Sequence, residues 1–336
     1  MSTNVSQKQK RILIVGSGAI GALYGSRLQV ANAHVTAVCR SNFNEVKKNG
    51  FQVTSHKWGE YNFAPEVVEN VEKADGVYDY VVVGMKALPE NDLPTLLSPV
   101  LKRSNETSVV LIQNGIGIES GFPKETPIIS VVAYVAVSQI GHGQIKHVSL
   151  DNLIIGGYHH PEQKGNTQFL ELLNKKTNEF SKLLTLGGVE NSVAEEIQLV
   201  RWHKIMWNAT FNPISILTGK RDTKILLEDP EVTKTIVETM KEIQEITKAA
   251  LGTNKNFEEL GLWSIDEYMK VSKNMPAYKP SMLLDFESER PLETEAIIGN
   301  AVRIARKFNV NCPRLETIYS LISQAKNYRR LKVRVK

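Results

Sequence analysis

The chain has 336 residues and a mass of 37.6 kDa, enough for two domains, and its 42% hydrophobic and 23% charged composition is typical of globular proteins. No run of about 18 apolar residues occurs and the start, MSTNVSQKQK, is polar, so the sequence predicts no membrane span and no secretory signal and favours a cytoplasmic protein. Six of the basic residues behind the net charge of +5 lie in the last eleven residues, KNYRRLKVRVK. Without them the net charge of the chain is 5 − 6 = −1, which argues against nucleic-acid binding.

The first predicted element is a strand that runs into a glycine-rich turn and then a helix. The segment RILIVGSGAIGALYGSRL therefore carries the dinucleotide-binding fingerprint in its required context. Gly16 permits the tight turn, Gly18 lets backbone N–H groups approach a pyrophosphate, and Gly21 lets the helix pack close to the strand. The predicted cofactor-binding residues of this turn are Gly16, Ser17, Gly18, Ala19, Ile20 and Gly21.

The second predicted strand, HVTAVCR, ends where an acidic residue would bind the ribose 2′-hydroxyl of NAD. Arg40 and Ser41 stand there instead. A guanidinium stays charged and offers forked donors to a 2′-phosphate, so the sequence favours NADP over NAD. The alternative is an ordinary arginine on a surface loop.

Two further predicted strands end in polar residues, at the sheet edge where open α/β folds bind ligands. YDYVVVGMKA leads to Lys86, and SVVLIQNGIG leads to Asn114. We expect both side chains to face the cofactor. The alternatives are a solvated helix start for Lys86 and a turn former before Gly115 for Asn114.

The segment PIISVVAYVAVSQIGHGQIKHVSLDNLIIGG alternates strand-type runs with glycine turns and predicts an antiparallel sheet edge. Its histidines, His142 and His147, and the following pair His159 and His160 show no metal-ligand spacing, and we expect them to face solvent. The two cysteines, Cys39 and Cys312, are interpreted as packing residues in a reducing compartment, so no metal site is predicted.

From about Asn191 onward, long helical patterns replace the strand-type runs. The sequence therefore predicts an α/β fold with a Rossmann-type dinucleotide-binding domain over residues 1–190, followed by an all-helical domain over residues 191–336. A fold of this kind places the active cleft between its domains. The helical domain offers a face that a homodimer could use, but no motif decides the oligomeric state.

A polar ladder stands out in the helical half, in KIMWNATFNP. Lys204, Asn208 and Asn212 are four residues apart, so they share one strip of an apolar helix and can converge on one ligand. Pro213 is expected to kink or end the helix. The alternative is a solvated helix face, because lysine and asparagine are usually exposed.

Further polar side chains follow in YKPSMLLDFESERPLETEAIIGNAVRIA. Ser281 precedes a helical run and could serve as its N-cap. Glu293 could be a first-turn carboxylate stabilised by the helix dipole. Both stay open as functional residues at this point.

Several motifs, in one order, resemble those of the ketopantoate reductase family, whose members reduce 2-dehydropantoate to D-pantoate with NADPH on the route to coenzyme A. The matching segments are ILIVGSGAIGALYG, MKA, QNGIG, KIMWNATFNPIS and PSMLLDFESERPLETEAIIGNAVRIARKFNVNCP. They span nearly the whole chain, which is far more specific than a glycine turn alone.

The resemblance implies catalytic roles for two residues. Lys204 occupies the place of the family's catalytic lysine, which donates the proton. Glu293 aligns with the acidic residue six positions before a helix glycine, here Gly299, which orients that lysine in the family. Glu295 is the competing assignment if the alignment shifts.

The resemblance also implies binding roles. Asn114 and Asn208 match asparagines near the substrate, Asn212 continues the same helical motif, and Ser281 matches a serine that holds the substrate carboxylate. Arg40 and Lys86 fall where the family binds NADPH.

These observations predict an NADPH-dependent reductase of 2-dehydropantoate, with a small 2-oxo acid as its substrate. Two alternatives remain: a reductase of another branched 2-oxo acid, and a non-catalytic NADP(H)-sensing protein. The segment LGTNKNFEELGLWSIDEYMKVSKNMPAYKP matches no family motif and could reshape the substrate pocket.

Overall fold

The computed structural model describes residues 9–163 and 165–334, with side chains described as far as residue 325. The polar first eight residues and the basic side chains of residues 326–336, on which the predictions about targeting and tail charge rest, lie outside this part. The chain divides into two compact units. Unit 1 comprises Met1–Lys86, Glu90–Gln113 and Glu119–Ile197, and unit 2 comprises Ala87–Pro89, Asn114–Ile118 and Gln198–Lys336.

The described residues of unit 1 form one ten-stranded sheet. Its strands are β1 Arg11–Val15, β2 His34–Val38, β3 Phe51–Ser55, β4 Gly59–Phe63, β5 Glu66–Val68, β6 Tyr80–Val83, β7 Ser108–Leu111, β8 Ile128–Gly141, β9 Gln144–Gly157 and β10 Asn191–Val193. The helices of this half are α1 Ala19–Val30, α2 Phe43–Asn49, α3 Leu93–Leu101 and α4 Thr167–Leu186.

The middle of the sheet has the strand order β5-β2-β1-β6-β7-β8, and all of these neighbours are parallel. After β1 and β2 the chain forms β3 and β4 at the far end of the sheet, then adds β5 beside β2 and β6 on the other side of β1. The order of the central strands therefore reverses between β1 and β6. Apart from Arg11, the residues of the central strands β1, β6 and β7 are buried, and most are apolar, as expected for strands covered on both faces. The predicted Rossmann-type fold is confirmed.

The far side of the sheet differs from the prediction. β8 and β9 pair antiparallel as expected, but β9 is not an edge, because β3 pairs with it and β4 pairs with β3. β10 also pairs with β9, so strand structure continues beyond residue 190 and the units divide after Ile197. The pairing of β3 with β9 joins segments about 90 residues apart, which local sequence patterns do not reveal.

His147, expected to face solvent, is buried. Its Nε2 donates to the carbonyl of Leu150 at 2.7 Å, and its Nδ1 lies 2.9 Å from the hydroxyl of Ser55 on β3. The β3–β9 pairing, which the sequence did not indicate, is what covers this ring. Cys39 and Cys312 are buried as predicted, and burial raises the pKa of each thiol to about 11.

Unit 2 is mostly helical, and its buried apolar side chains form a core of their own. Its helices are α5 Ile197–Leu217, α6 Thr223–Glu228, α7 Pro230–Leu251, α8 Ile265–Asn274, α9 Ser281–Glu287, α10 Asn300–Lys307 and α11 Pro313–Arg334. A π-helical turn, Glu295–Gly299, leads directly into α10. None of the described helices is long and apolar enough to cross a membrane.

The helix α5 carries the polar ladder and does not end at Pro213, as the sequence had suggested it could, but continues to Leu217. Proline removes one N–H and so leaves the carbonyl four residues earlier without its helical donor. Apolar packing along α5 compensates, because Met206, Ala209 and Phe211 are all fully buried. The ladder therefore lies in the body of a long helix.

The segment without a family motif is anchored to α5 through His203. The Nε2 of His203 donates to the carbonyl of Trp263 at 3.0 Å, and its Nδ1 lies 3.4 Å from the Tyr268 hydroxyl. One turn further along α5, the indole of Trp207 donates to the Ser272 hydroxyl at 3.2 Å. Burial lowers the pKa of His203 to about 4, so the ring is neutral at physiological pH.

We expect this histidine to make unit 2 sensitive to acid. The neutral ring is favoured in the folded chain, so His203 contributes full stability above pH 6.5, its ordinary pKa. This stability is lost as the pH falls through the folded pKa of about 4. The loss should approach about 3 kcal/mol. In the wild type, the urea concentration at the unfolding midpoint should fall between pH 6.5 and 4, and His203→Gln should reduce this fall. Unfolding is followed by tryptophan fluorescence, because unit 2 contains three of the four tryptophans.

The matched control is His142→Gln, since His142 lies exposed in the turn between β8 and β9. That variant should keep the wild-type pH dependence. An unchanged pH dependence in His203→Gln would show that the ring does not titrate as its burial requires.

Candidate functional site

The glycine turn lies at the point where the strand order of unit 1 reverses. Gly16, directly after β1, has φ +89, and a Cβ built on it would lie 2.4 Å from the backbone nitrogen of Met85. A Cβ on Gly21 would lie 2.4 Å from the carbonyl oxygen of Gly16. Only glycine fits at these two positions, because the turn packs directly against the backbone that follows β6 and against the start of α1.

Gly18 has a different environment. A Cβ built there would meet only the side-chain oxygen of Gln139, at 3.6 Å. Gly18 is also the N-cap of α1, and no side chain of the described residues caps the first N–H groups of that helix. Uncapped N–H groups beside an uncrowded glycine suit a pyrophosphate, and the first turn continues with the predicted residues Ala19 and Ile20. The turn therefore fits a dinucleotide.

Ser17 and Arg40 extend this region toward the end of β2. The Ser17 hydroxyl donates to the carbonyl of Val38 at 2.8 Å, and the Asn42 amide donates to the carbonyl of Ser17 at 3.2 Å. Ser17 is thus committed to tying the turn to β2. Arg40, two residues beyond β2, is exposed, which leaves its guanidinium accessible to a phosphate.

Lys86 lies three residues after β6 and is half-buried. Its carbonyl accepts a hydrogen bond from the Asn91 amide at 3.3 Å. The neighbouring Met85 is the residue that packs against Gly16, so Lys86 follows directly on the backbone that contacts the glycine turn. Its predicted role in cofactor binding stays a prediction.

The contrast between Gly16 and Gly18 can be tested. Gly18→Ala should fold with a wild-type melting temperature, because its Cβ meets one flexible side chain, yet bind NADPH at least about tenfold more weakly, because the methyl group lies where the pyrophosphate approaches. Gly16→Ala should lower the melting temperature, since its Cβ would overlap backbone. Calorimetry for binding and for unfolding separates the two effects, and equal cofactor affinity in Gly18→Ala would contradict this assignment.

A second group of candidate functional side chains lies in unit 2 and centres on Lys204. Its ammonium donates to the Asn114 side-chain oxygen at 3.0 Å. Lys204 is surrounded by protein but keeps part of its side chain accessible, as a group that must reach a ligand requires. The structure thus joins two residues that are 90 positions apart and that the sequence had singled out separately.

The turn that carries Asn114 is held firmly. Gly115 has φ +106, and a Cβ on it would lie 2.6 Å from the carbonyl oxygen of Ala296. That same carbonyl accepts a hydrogen bond from the Ile116 N–H at 3.1 Å, and the Asn300 amide donates to the Ile116 carbonyl at 2.6 Å. The Asn-Gly pair is therefore a turn former, as the alternative interpretation proposed, and it also presents Asn114 to the lysine.

The structure distinguishes the two candidate carboxylates. Glu293 accepts a hydrogen bond from the Ala87 N–H at 2.9 Å and acts electrostatically on Lys204. Glu295 instead accepts from the Tyr319 hydroxyl at 3.0 Å and pairs with Arg303 at 2.9 Å. The carboxylate that interacts with the lysine is thus Glu293.

Three influences set the proton affinity of Lys204. Burial lowers its pKa, the positive charge of Arg201 lowers it further, and the negative charge of Glu293 raises it. The net result is a pKa of about 8, compared with an ordinary 10.5. A lysine of this kind is charged at neutral pH and still gives up its proton readily.

Asn208 and Asn212 follow Lys204 at intervals of one helical turn on α5. Asn208 is largely buried, and Asn212 is fully buried with no hydrogen-bond partner for either amide atom among the described residues. An unpartnered buried amide is costly, so Asn212 has unused capacity for a polar ligand group or an ordered water. Ser281 is the exposed first residue of α9; Pro280 precedes it as N-cap, and no side chain caps the helix there.

Arg201 belongs to this cluster and was not predicted. It lies three residues before Lys204 on α5, is only 2% exposed, and donates from Nη1 to the carbonyl of Gly115 at 3.0 Å. The available signal was its spacing of one helical turn from the lysine within an apolar run. An arginine in that position is ordinarily interpreted as a surface residue.

Two family models match this chain, one in each half. The sequence model described as Ketopantoate reductase PanE/ApbA matches residues 12–160, and the one described as Ketopantoate reductase PanE/ApbA C terminal matches residues 196–326. The 2-dehydropantoate 2-reductase of Nostoc sp. is 28% identical over 314 residues, which cover 93% of each chain.

Solved structures give the same result. The crystal structure of 2-dehydropantoate 2-reductase from Methylococcus capsulatus is 32% identical, covers 95% of this chain and 97% of its own, and superposes with a TM-score of 0.79. The structure of D-mandelate dehydrogenase with NADH and anilino(oxo)acetate is 19% identical, covers 95% of this chain and 99% of its own, and has a TM-score of 0.77. At that identity the second likeness concerns the fold alone.

Proposed function

Because the chain belongs to the ketopantoate reductase family, we propose that it reduces 2-dehydropantoate to D-pantoate with NADPH, using Lys204 as the general acid. Membership makes the chain an oxidoreductase that acts on CH–OH groups and binds a nicotinamide dinucleotide. The observation that supports the proposal best is the Lys204 ammonium, 3.0 Å from Asn114 and with a pKa lowered to about 8.

The chemistry requires one proton at one oxygen atom. NADPH, when bound, supplies a hydride to carbon 2 of the 2-oxo acid. As the electron pair of the carbonyl double bond moves onto oxygen, the Lys204 ammonium stabilises the growing charge and donates its proton, which leaves a neutral amine and a 2-hydroxy acid. An ammonium has three donors, and the bond to Asn114 directs one of them.

The neighbouring residues have supporting roles in this proposal. Glu293 keeps the lysine protonated before the reaction, since its charge raises the pKa of Lys204. Asn208 and Asn212 donate and accept hydrogen bonds without adding charge, which suits hydroxyl and carboxylate groups of the substrate. Ser281 is proposed to bind the substrate carboxylate by its resemblance to the family motif.

The choice of NADPH over NADH rests on Arg40. Its exposed guanidinium follows β2, the strand whose end carries the ribose-binding position in this fold. The same fold also occurs in a D-mandelate dehydrogenase structure that contains NADH, so the fold does not decide the cofactor. The homodimer and the cytoplasmic location remain predictions.

The role of Lys204 can be tested with 2-dehydropantoate and NADPH. Lys204→Ala should lower kcat by roughly 10²-fold or more, because the substitution removes the proposed general acid. In the wild type, kcat/KM for reduction should be retained below pH 8 and fall as the pH rises through it, since kcat/KM reports the protein before substrate binds, when the lysine must carry its proton. The measurement is NADPH oxidation at 340 nm, with NADPH affinity as the control for folding.

Either of two results would change the conclusion. Saturable NADPH binding without turnover of 2-dehydropantoate would direct attention to other branched 2-oxo acids, tested as a panel, or to a sensing role. Full activity in Lys204→Ala would remove the lysine from the mechanism.

The cofactor preference can be tested separately. Arg40→Ala should weaken NADPH binding by about 10- to 100-fold, which corresponds to the loss of a charge-assisted hydrogen bond, and leave NADH binding unchanged. Lys48→Ala is the matched control, because Lys48 is an exposed cation on the adjacent helix α2. Equal losses for both cofactors would show that Arg40 does not bind the 2′-phosphate.

A further inference from the structure

Arg201 is a buried guanidinium that the proposed mechanism does not use. Its side chain is 2% exposed, although it lies one helical turn from another cation, Lys204. Burying an arginine is costly, and placing it near an ammonium adds repulsion. A group that remains in such a position needs compensating contacts, and these contacts indicate what it does.

One contact of Arg201 is directed at the turn that carries Asn114. Nη1 of Arg201 donates to the carbonyl of Gly115 at 3.0 Å, in a buried location. On its other side, the turn is held by Ala296, whose carbonyl accepts the Ile116 N–H at 3.1 Å. Arg201 therefore fixes the turn from the helix that also bears Lys204.

The turn that Arg201 holds also contacts α5 through Asn114. Asn114, directly before Gly115, accepts a hydrogen bond from the Lys204 ammonium at 3.0 Å. The contacts thus form a closed loop, from Arg201 through the turn to Lys204 and back along one turn of α5. A shift of the turn would move the acceptor that aims the ammonium.

We propose that Arg201 is a positioning residue for the general acid, which fixes the Asn114–Gly115 turn and places a second positive charge one helical turn from Lys204. The proposal rests on the proposed function, in which Lys204 donates the proton. It assigns Arg201 two separable effects, one of geometry and one of charge.

The charge effect has a defined direction. Among the groups that act on the ammonium are Arg201 from α5, Glu293 from the segment before the π-helical turn, and the amide of Asn114 from its turn. Burial lowers the pKa of Lys204 most, the charge of Arg201 lowers it further, and Glu293 opposes both. Removing the guanidinium should raise this pKa, which makes Lys204 a weaker acid.

Two substitutions separate the effects. Arg201→Lys retains the positive charge but loses the planar fork that reaches the Gly115 carbonyl, so it should lower kcat by about tenfold or more and leave the titration of Lys204 nearly unchanged. Arg201→Met removes both the charge and the fork, so it should also raise the pKa of Lys204 by about one pH unit. Arg306→Met is the control, because Arg306 lies exposed on α10 and pairs with Glu316.

The titration is measured directly, by NMR of ¹⁵N- and ¹³C-labelled lysine side chains in the protein without cofactor, with the Lys204 signal assigned by its loss in Lys204→Arg. The pH profile of kcat and the NADPH affinity are measured on the same variants. NADPH affinity and melting temperature should stay near wild type, which shows that the variants fold. If Arg201→Met does not fold, Arg201→Gln takes its place.

The possible results are distinguishable. In one result, Lys204→Ala is inactive and the pKa of Lys204 in Arg201→Met or Arg201→Gln equals that of the wild type. The proposal for Arg201 then fails and the proposed function stands. If Lys204→Ala remains active, the proposed function fails, whatever Arg201 does to the titration. A kcat for Arg201→Lys equal to wild type would overturn the geometric role.

Discussion

The helical unit depends on keeping an ammonium group charged among protein atoms. Lys204 loses much of its hydration, and the structure offsets this loss with the Asn114 oxygen and the charge of Glu293. Both compensating residues are themselves held by backbone groups, Asn114 through the Gly115 turn and Glu293 through the Ala87 N–H. The conformation of several distant segments is thus tied to one charge.

The dinucleotide half follows a simpler rule, which is steric. Gly16 and Gly21 are glycines because backbone atoms occupy the place of a side chain, whereas the space beside Gly18 is bounded only by the side chain of Gln139. The fingerprint therefore contains two kinds of glycine, two that the packing of the fold requires and one that it does not. Sequence alone shows the pattern, and the distances show which glycines the packing requires.

What could be predicted from the sequence was mostly local. The succession β1, glycine turn, α1 and the helical second half follow from patterns within about 20 residues, and both were confirmed. The pairing of β3 with β9 and the burial of His147 were not predicted, since they depend on segments far apart in the chain. Arg201 was missed for a related reason: its partner, Gly115, is 86 residues away.

The choice between Glu293 and Glu295 shows another limit of sequence reasoning. Helix faces are predicted by counting about 3.6 residues per turn. The wider π-helical turn that starts at Glu295 changes this count, so the periodicity of α10 cannot be extended backward to tell which carboxylate faces the lysine. The structure instead pairs Glu295 with Arg303 and Tyr319 and places the charge of Glu293 where it acts on Lys204.

The composition of unit 2 has a consequence for how the chain folds. Ala87–Pro89 and Asn114–Ile118 belong to the helical unit, yet they are synthesised about 80 to 110 residues before α5 begins. A fragment that starts at Gln198 would lack the Asn114 oxygen that accepts from Lys204 and the Ala87 N–H that donates to Glu293. The helical unit therefore cannot complete its polar interior from its own continuous stretch of chain. Completing that interior requires closure of long loops, a slow kind of contact, and Lys204 acquires these partners only when the loops close.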